Sequence, residues 1–549
     1  MTVRSMLIAL LLTAGVSAAT VALVQNERQD TAARLAPRLV GDALYVDGGL
    51  DDLALAAIGG AGPGSGIPPT WVHPPDGAVY PHSFPSPRLQ WKDEYASRLY
   101  RVDVRSGGAL LFSAVTRERE IRVPESLWSR ARSGAAPLEF TVTSGLLAGD
   151  AIAPDTGVSV AATVQMAPPG DDPTGMILFG QKLRPADRPT GTVPLLNMHL
   201  RLDGLDLDAM RKAPGAAPVR KVMFRSSTGP EPTKYHPERA GDSGAGPDEP
   251  TQTQCVSCHA ASGDGRYVAV FSQSAEEAPR RFDAPNGFMT ILAMPERKVL
   301  HQLPHAFMPM FNPATPGLVV YGEVDETIGA KDQQMVRKSD LKVLDIPTGR
   351  ITPVPGASLP DRVENFPYWS PDGKLLTFIR TKKGEIWHGS QGLIDIAAVP
   401  WNDGKGGEPV DVPGASQNGR SNVLPVYSPD GRWIVFTQTE KGFFSQESAD
   451  LMIVPSEGGE ARRLECSSTQ ADSWHRFSPD GRWLAVVTNR EDIRRPHIYL
   501  SRFDSEKGTC TPAVQIPVVS GPGAHTHAFT WTPRFDWFDS FETASPDRP

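Results

Sequence analysis

The sequence predicts an all-β chain: a six-bladed β-propeller preceded by an immunoglobulin- or fibronectin-like β-sandwich, with a signal or anchor segment in front. Two observations lead there. Gly 51 and Pro 52 make up nearly a fifth of the 549 residues and are spread among many short Val/Ile/Phe/Tyr runs. That mixture belongs to short strands joined by tight turns rather than to disorder. The tetrapeptide Ser-Pro-Asp-Gly also recurs at 370–373, 428–431 and 478–481, each time after an aromatic residue (Trp369, Tyr427, Phe477) and before an apolar run.

Each copy reads as a hairpin turn. Proline suits the second turn position, aspartate bonds its own backbone, and glycine supplies positive φ. Weaker copies stand at Ala261-Ser262-Gly-Asp-Gly265, Phe311-Asn312-Pro313 and Trp531-Thr532-Pro533. The Ser/Asn/Thr positions 262, 312, 370, 428, 478 and 532 are spaced by 50, 58, 58, 50 and 54 residues, one four-stranded blade each. Trp531 lies 18 residues from the end, too few to complete a blade. The missing strands are expected at Met176–Phe179, Leu195–Leu200 and Val222–Phe224, so that both ends of the region share one blade and no sheet edge is left open. With these turns, residues 165–540 resemble the propeller of TolB and related proteins, with PD40/WD40-like repeats. The resemblance implies a six-bladed ring and a cell-envelope setting, and it leaves the function open.

The N-terminal parts follow in order. Met1-Thr-Val-Arg4 is positively charged, the run Met6–Val24 is apolar, and Val16-Ser17-Ala18 offers a small-x-small cleavage site. Residues 1–24 are thus a signal peptide or a membrane anchor, the run being long enough to span. Residues 25–67, rich in Ala, Gly and Pro, read as a linker. Residues 68–165 hold short strands at Leu89–Trp91, Leu99–Asp103, Ala109–Phe112, Leu138–Val142 and Val158–Ala161, the pattern of the sandwich. Residues 166–540 are the propeller. A net charge of −8 without a Lys/Arg stripe excludes nucleic acid as a partner.

The chemistry is carried by Cys255-Val256-Ser257-Cys258-His259, a C-x-x-C-H run. This is the attachment signature of a c-type haem. Cys255 and Cys258 would form thioethers with the vinyl groups of one covalently held haem, and His259 would be the proximal iron ligand. Aligning the turns puts His259 at the position of Pro309, Pro367, Pro425, His475 and Phe529, and Cys255 at that of His305 and His525. These positions open a blade's first strand, next to the central channel. Candidates for the distal ligand are Met308 or Met310, which are favoured, with His525, His527 and His305 as rivals; bis-His and five-coordinate iron stay open.

Plainer readings stand beside these. The cysteines could form a disulfide or a metal-binding pair, and the methionines could fill gaps in a blade. His525 and His527 share one strand face and could be a surface pair. Cys466 and Cys510, on neighbouring inferred blades, are candidates for a disulfide in an oxidising compartment. Gly241-Asp-Ser243-Gly-Ala-Gly246 lacks the strand–elbow–helix context of a serine nucleophile, and no catalytic set is assigned. The leading expectation is an exported mono-haem c-type cytochrome of the periplasm or envelope, performing one-electron transfer or redox sensing with a redox partner or envelope protein. A membrane tether through residues 1–24 would suit it. The alternatives are an envelope interaction scaffold with a structural haem, and a haem enzyme with an open iron site.

Overall fold

The computed structural model describes residues 37–535 except 62–63, 96–97, 135, 149–150, 153–155, 184–200, 219, 226–254, 274–286, 331–332, 383–391, 443–447, 492–495 and 517–523. Some strand residues, 255–258 and 524–529 among them, are described by backbone alone. The chain forms two units, one of residues up to 77 with 86–166, the other of 78–85 with 167 onward. The expected signal or anchor at 1–24 lies outside the described residues. Among those described, no helix is long and apolar enough to cross a membrane.

The first unit is built of two main sheets and, among the described residues, a two-stranded ribbon of Leu147–Ala148 with Ala151–Ile152. One orders the strands Arg38–Val40, Leu44–Val46, Ala109–Thr116, Leu99–Ser106, Leu138–Gly145 and Ala162–Met166; the other joins Thr70–His73, Leu89–Lys92 and Glu120–Ile121. Alternate residues Val102, Val104, Phe112, Phe140 and Val142 are fully buried, the period-2 pattern of a half-buried strand. Part of the expected 25–67 linker is built into this unit. Leu44–Val46 runs parallel to Ser113–Val115, and Asp52–Gly59 is a helix capped by the Asp51 carboxylate, which accepts from the Ala54 amide at 2.8 Å. The physical reason is the spacing of Leu50, Ala54 and Ile58, four residues apart, which sets one apolar face against Leu99 and Val115. The Ala/Gly composition hid that face.

The second unit is the six-bladed propeller. Five blades follow in sequence: 255–304, 306–353, 362–411, 421–463 and 472–515. The remaining blade, numbered blade 1 here, has the order Arg220–Arg225, Arg201–Asp206, Met176–Leu183, Ala524–Thr532. The last strand pairs antiparallel with Met176–Leu183, Leu178 facing Thr530, so the ring closes through both ends as expected. One detail differs: the strand expected at Leu195–Leu200 is Arg201–Asp206, and 195–200 lie outside the described residues. Leu202 and Leu205 are fully buried there, and Gly204 passes where a Cβ would come within 2.7 Å of Met176 Sδ.

The turns behave as their sequence implies. In each of the four copies at 262, 370, 428 and 478, the serine hydroxyl donates to the aspartate two residues on and accepts the amide five residues on. The glycines have φ near +70°. The weak copy at Ser262 is therefore a full member of the series.

Cys466 and Cys510 form a disulfide with a Cα–Cα distance of 5.7 Å, inside the apolar cluster shared by blades 5 and 6. It spans 44 residues. A loop of that length corresponds to about 4 kcal/mol of loop-closure entropy. Replacing both cysteines by alanine is expected to lower the unfolding midpoint markedly in calorimetry, and addition of reductant to the wild-type chain should reproduce that loss.

Candidate functional site

Every inner strand carries the same irregularity. Register shifts occur at His527/Phe529, Ser257/Ala260, Phe307/Met310, Asn365/Tyr368, Val423/Val426 and Ser473/His475, one extra residue per inner strand. Such a bulge leaves one residue unpaired and re-aims its side chain. In blades 3 to 6 the residue four before the turn has positive φ: Met308 (51°), Phe366 (50°), Leu424 (56°) and Trp474 (44°). A left-handed φ on a bulky residue is costly and persists only where packing enforces it. The packing is at the ring axis. Phe366 and Trp474, from blades 4 and 6 with blade 5 between them, have ring centroids 6.1 Å apart, and Leu424 is 4 % exposed. Cys258 and Ala528 hold the same register place in blades 2 and 1.

His259 follows this bulge, 6 % exposed. Its Nε2 lies 3.0 Å from the Leu178 carbonyl in blade 1, so it carries the proton and donates. Its own carbonyl accepts from Thr530 Oγ1 at 2.9 Å, and its Nδ1 is buried without a partner. Burial pushes its pKa down to about 4; the Leu178 carbonyl opposes that shift and the Arg476 charge adds to it. His475 repeats the arrangement between blades 5 and 6. It is fully buried, its Nε2 donates to Val435 O at 2.9 Å, its Nδ1 is also unpartnered, and burial is the main cause holding its pKa at about 3.

The other predicted residues are dispersed. Cys255 faces Gln273 across the strand pair; its side chain and that of Cys258 lie outside the described residues. Met308 is half-buried at the axial bulge. Met310 instead packs with the core between blades 3 and 4, beside Val320, Trp369 and Phe378, and its carbonyl accepts from Trp369 Nε1 at 3.1 Å. His305 has φ +60° at the strand mouth, and its carbonyl accepts the Val324 amide. His525 and His527 stand opposite Lys182 and Gly180, their side chains outside the described residues. Among the described residues, no three His, Cys, Asp or Glu side chains converge on a metal position.

Sequence reasoning missed Glu364. It lies six residues before its turn serine, in the place of Asn422 and Asp472. Asn422 receives Gln438 Nε2 at 2.9 Å, and Asp472 receives Arg490 Nη2 at 3.2 Å. Glu364 is fully buried and no side chain donates a hydrogen bond to either oxygen. Arg380, its cross-strand neighbour, is spent on Asp411. Burial raises the Glu364 pKa to about 8, Asp340 adds to the shift, and the Leu359 amide and Arg380 oppose it. The sequence signal was a charged residue at a register place that holds Val256, Ala306 and Thr526 in blades 2, 3 and 1 and the partnered Asn422 and Asp472 in blades 5 and 6.

No family model matches the chain. An uncharacterised peptidase of Bacillus subtilis (strain 168), YuxL, is 29% identical over 167 residues, covering 24% of this chain and 23% of that protein. Among solved structures, a TolB protein of Agrobacterium tumefaciens is 17% identical with a TM-score of 0.32, over 51% of this chain and 91% of that one. Hydrazine synthase of Kuenenia stuttgartiensis is 13% identical with a TM-score of 0.39, over 66% of this chain and 48% of that one. The β-propeller domain of a Pyrococcus furiosus protease gives 14% and 0.29, over 48% of this chain and 71% of that one. The propeller assignment rests on this chain's own sheet topology.

The buried titrating groups set opposite pH dependences. Glu364 stays protonated in the folded chain up to about pH 8, whereas the unfolded chain ionises near the usual carboxylate value. Stability therefore falls as pH rises from about 4.5 to about 8, and Glu364→Gln should remove roughly 5 kcal/mol of that fall in denaturant titrations at several pH values. His475 refuses a proton that the unfolded chain accepts. Stability is thus lost as pH drops from about 6.5 toward 3, and His475→Gln should flatten that acid limb by a similar amount.

Proposed function

We propose that the chain is an exported mono-haem c-type cytochrome carried on the propeller, serving one-electron transfer or redox sensing. The observation that carries the reading is the concentration of soft ligands on one half of the ring. At the places seven, five and four residues before the turn, blades 1 to 3 hold His525 and His527, Cys255 and Cys258, His305 and Met308. The same places in blades 4 to 6 hold Val363, Asn365, Phe366, Ser421, Val423, Leu424, Ala471, Ser473 and Trp474, none of them a customary iron ligand.

The residues suit the group with one condition. Cys255 and Cys258 would each add S–H across a vinyl double bond, the sulfur bonding one carbon and the hydrogen the other. His259 would supply its imidazole through Nε2, provided the ring gives up Leu178 and its proton passes to the buried, unpartnered Nδ1. When bound, haem supplies a one-electron iron couple. The chain's contribution would be to hold the group by two thioethers, to set solvent access at the ring axis, and to offer Met308 or a histidine of blades 1 and 3 as second ligand. Residues 1–24 would export the chain to the periplasm or tether it to the membrane.

A second reading has its own support. His475 makes the same hydrogen bond as His259 in a blade whose inner strand carries no cysteine, which favours an envelope interaction scaffold whose motif histidine is structural. The pyridine haemochrome of protein matured with a haem-attachment system separates the two. A c-type band that disappears in Cys258→Ala is expected, and its absence from the wild-type chain would sink the cytochrome reading. Carbon monoxide added to the reduced protein then reports whether the iron has an open position.

A further inference from the structure

We propose that His259 is an exchangeable latch, which haem attachment releases from blade 1. The inference rests on the cytochrome reading above and deepens it. The latch engages the ring at its closure: His259 Nε2 donates to Leu178 O and Thr530 Oγ1 donates to His259 O. Leu178 and Thr530 are themselves cross-strand partners in the pairing that joins the two ends of the propeller. One residue of blade 2 thus holds both strands of the closing pair. Around it, Met176, Leu178, Val268 and Val270 form a shared apolar cluster between blades 1 and 2.

The hydrogen bond and an iron bond compete for one atom. An imidazole ligates haem iron through Nε2, because Nδ1 adjoins the ring carbon that bears the main chain, and the backbone would collide with the macrocycle. While Nε2–H donates to Leu178, that nitrogen has no lone pair to give. Ligation through Nε2 would therefore require the proton to pass from Nε2 to Nδ1 and the N–H···O bond to Leu178 to break, with no net proton gained or lost. Leu178 O is left without its side-chain donor at a buried seam, a position that costs free energy and favours local opening. His475 makes the corresponding latch between blades 5 and 6, where no cysteine stands beside it, so that seam is the internal control.

The test is amide hydrogen exchange with mass spectrometry on the full chain matured with and without haem. Exchange in Met176–Leu183 and Ala524–Thr532 is expected to be at least tenfold faster in the haem-bearing chain, with Trp433–Thr439 around Val435 unchanged. Haem-free His259→Ala should show the same local loosening, and His475→Ala should loosen the 5–6 seam instead. Covalent haem with equal protection at the 1–2 seam in both forms overturns the latch exchange while leaving the cytochrome reading intact. Absence of covalent haem, read from the haemochrome of the same sample, overturns both. The wild-type comparison needs no variant to fold.

Discussion

The ring depends on the antiparallel pairing of Met176–Leu183 with Ala524–Thr532, the contact that joins the two ends of a region more than 350 residues long. Without it, blade 1 would present an open edge and blade 6 would have no neighbour on one side. Local geometry serves this pairing. Gly175, at φ +83°, lies where a Cβ would come 2.3 Å from the Thr532 carbonyl, so no side chain fits. Trp531 Nε1 donates to Thr174 O at 2.8 Å. Asp171, in the approach to blade 1, reaches Arg482 and Arg502 of blade 6, the latter at 2.9 Å. Backbone pairing, an indole bond and a carboxylate between two guanidinium groups thus act at one seam, where closure entropy is greatest.

A closed ring of similar blades need not be symmetric at its axis. The inner-strand bulge recurs in every blade, but its occupants divide into halves: Phe366, Leu424 and Trp474 on one side, Ala528, Cys258 and Met308 on the other. The large apolar side meets across the axis, as the Phe366–Trp474 contact requires. Backbone strain at Phe366, Leu424 and Trp474 is the cost of aiming these three side chains inward, and interior packing offsets it. The side with small and sulfur-bearing occupants is the one that also carries Cys255, His305 and His525.

Much of this was legible in the sequence, for identifiable reasons. The Ser-Pro-Asp-Gly turns encode their own hydrogen bonds, so blade number and the sharing of one blade by both ends followed from turn spacing. The same turn spacing puts His259 and His475 in one register place, three residues before the turn. The helix Asp52–Gly59 was hidden because its apolar face is made of Ala54 and Ile58, with Leu50 just before the cap, inside an Ala/Gly-rich stretch, where composition outweighed periodicity. The split between Met308 and Met310 was not readable, because a bulge reverses which of two nearby residues faces the axis. Glu364 was missed since its environment depends on Arg380 choosing Asp411, a long-range choice that no local pattern encodes.

The equivalence of His259 and His475 changes what the C-x-x-C-H run means. In three other blades the corresponding residue is proline (Pro309, Pro367 and Pro425), which makes no side-chain hydrogen bond. A histidine at this place is fully accounted for by an inter-blade hydrogen bond, as blade 6 shows with no cysteine in its inner strand. His259 alone is thus no mark of a cofactor. What repeat architecture does not account for is the pair of thiols on the same strand, one of them at the axial bulge where the other blades place bulky apolar side chains or alanine. The cysteines, more than the histidine, are where the chemistry of this chain departs from its scaffold.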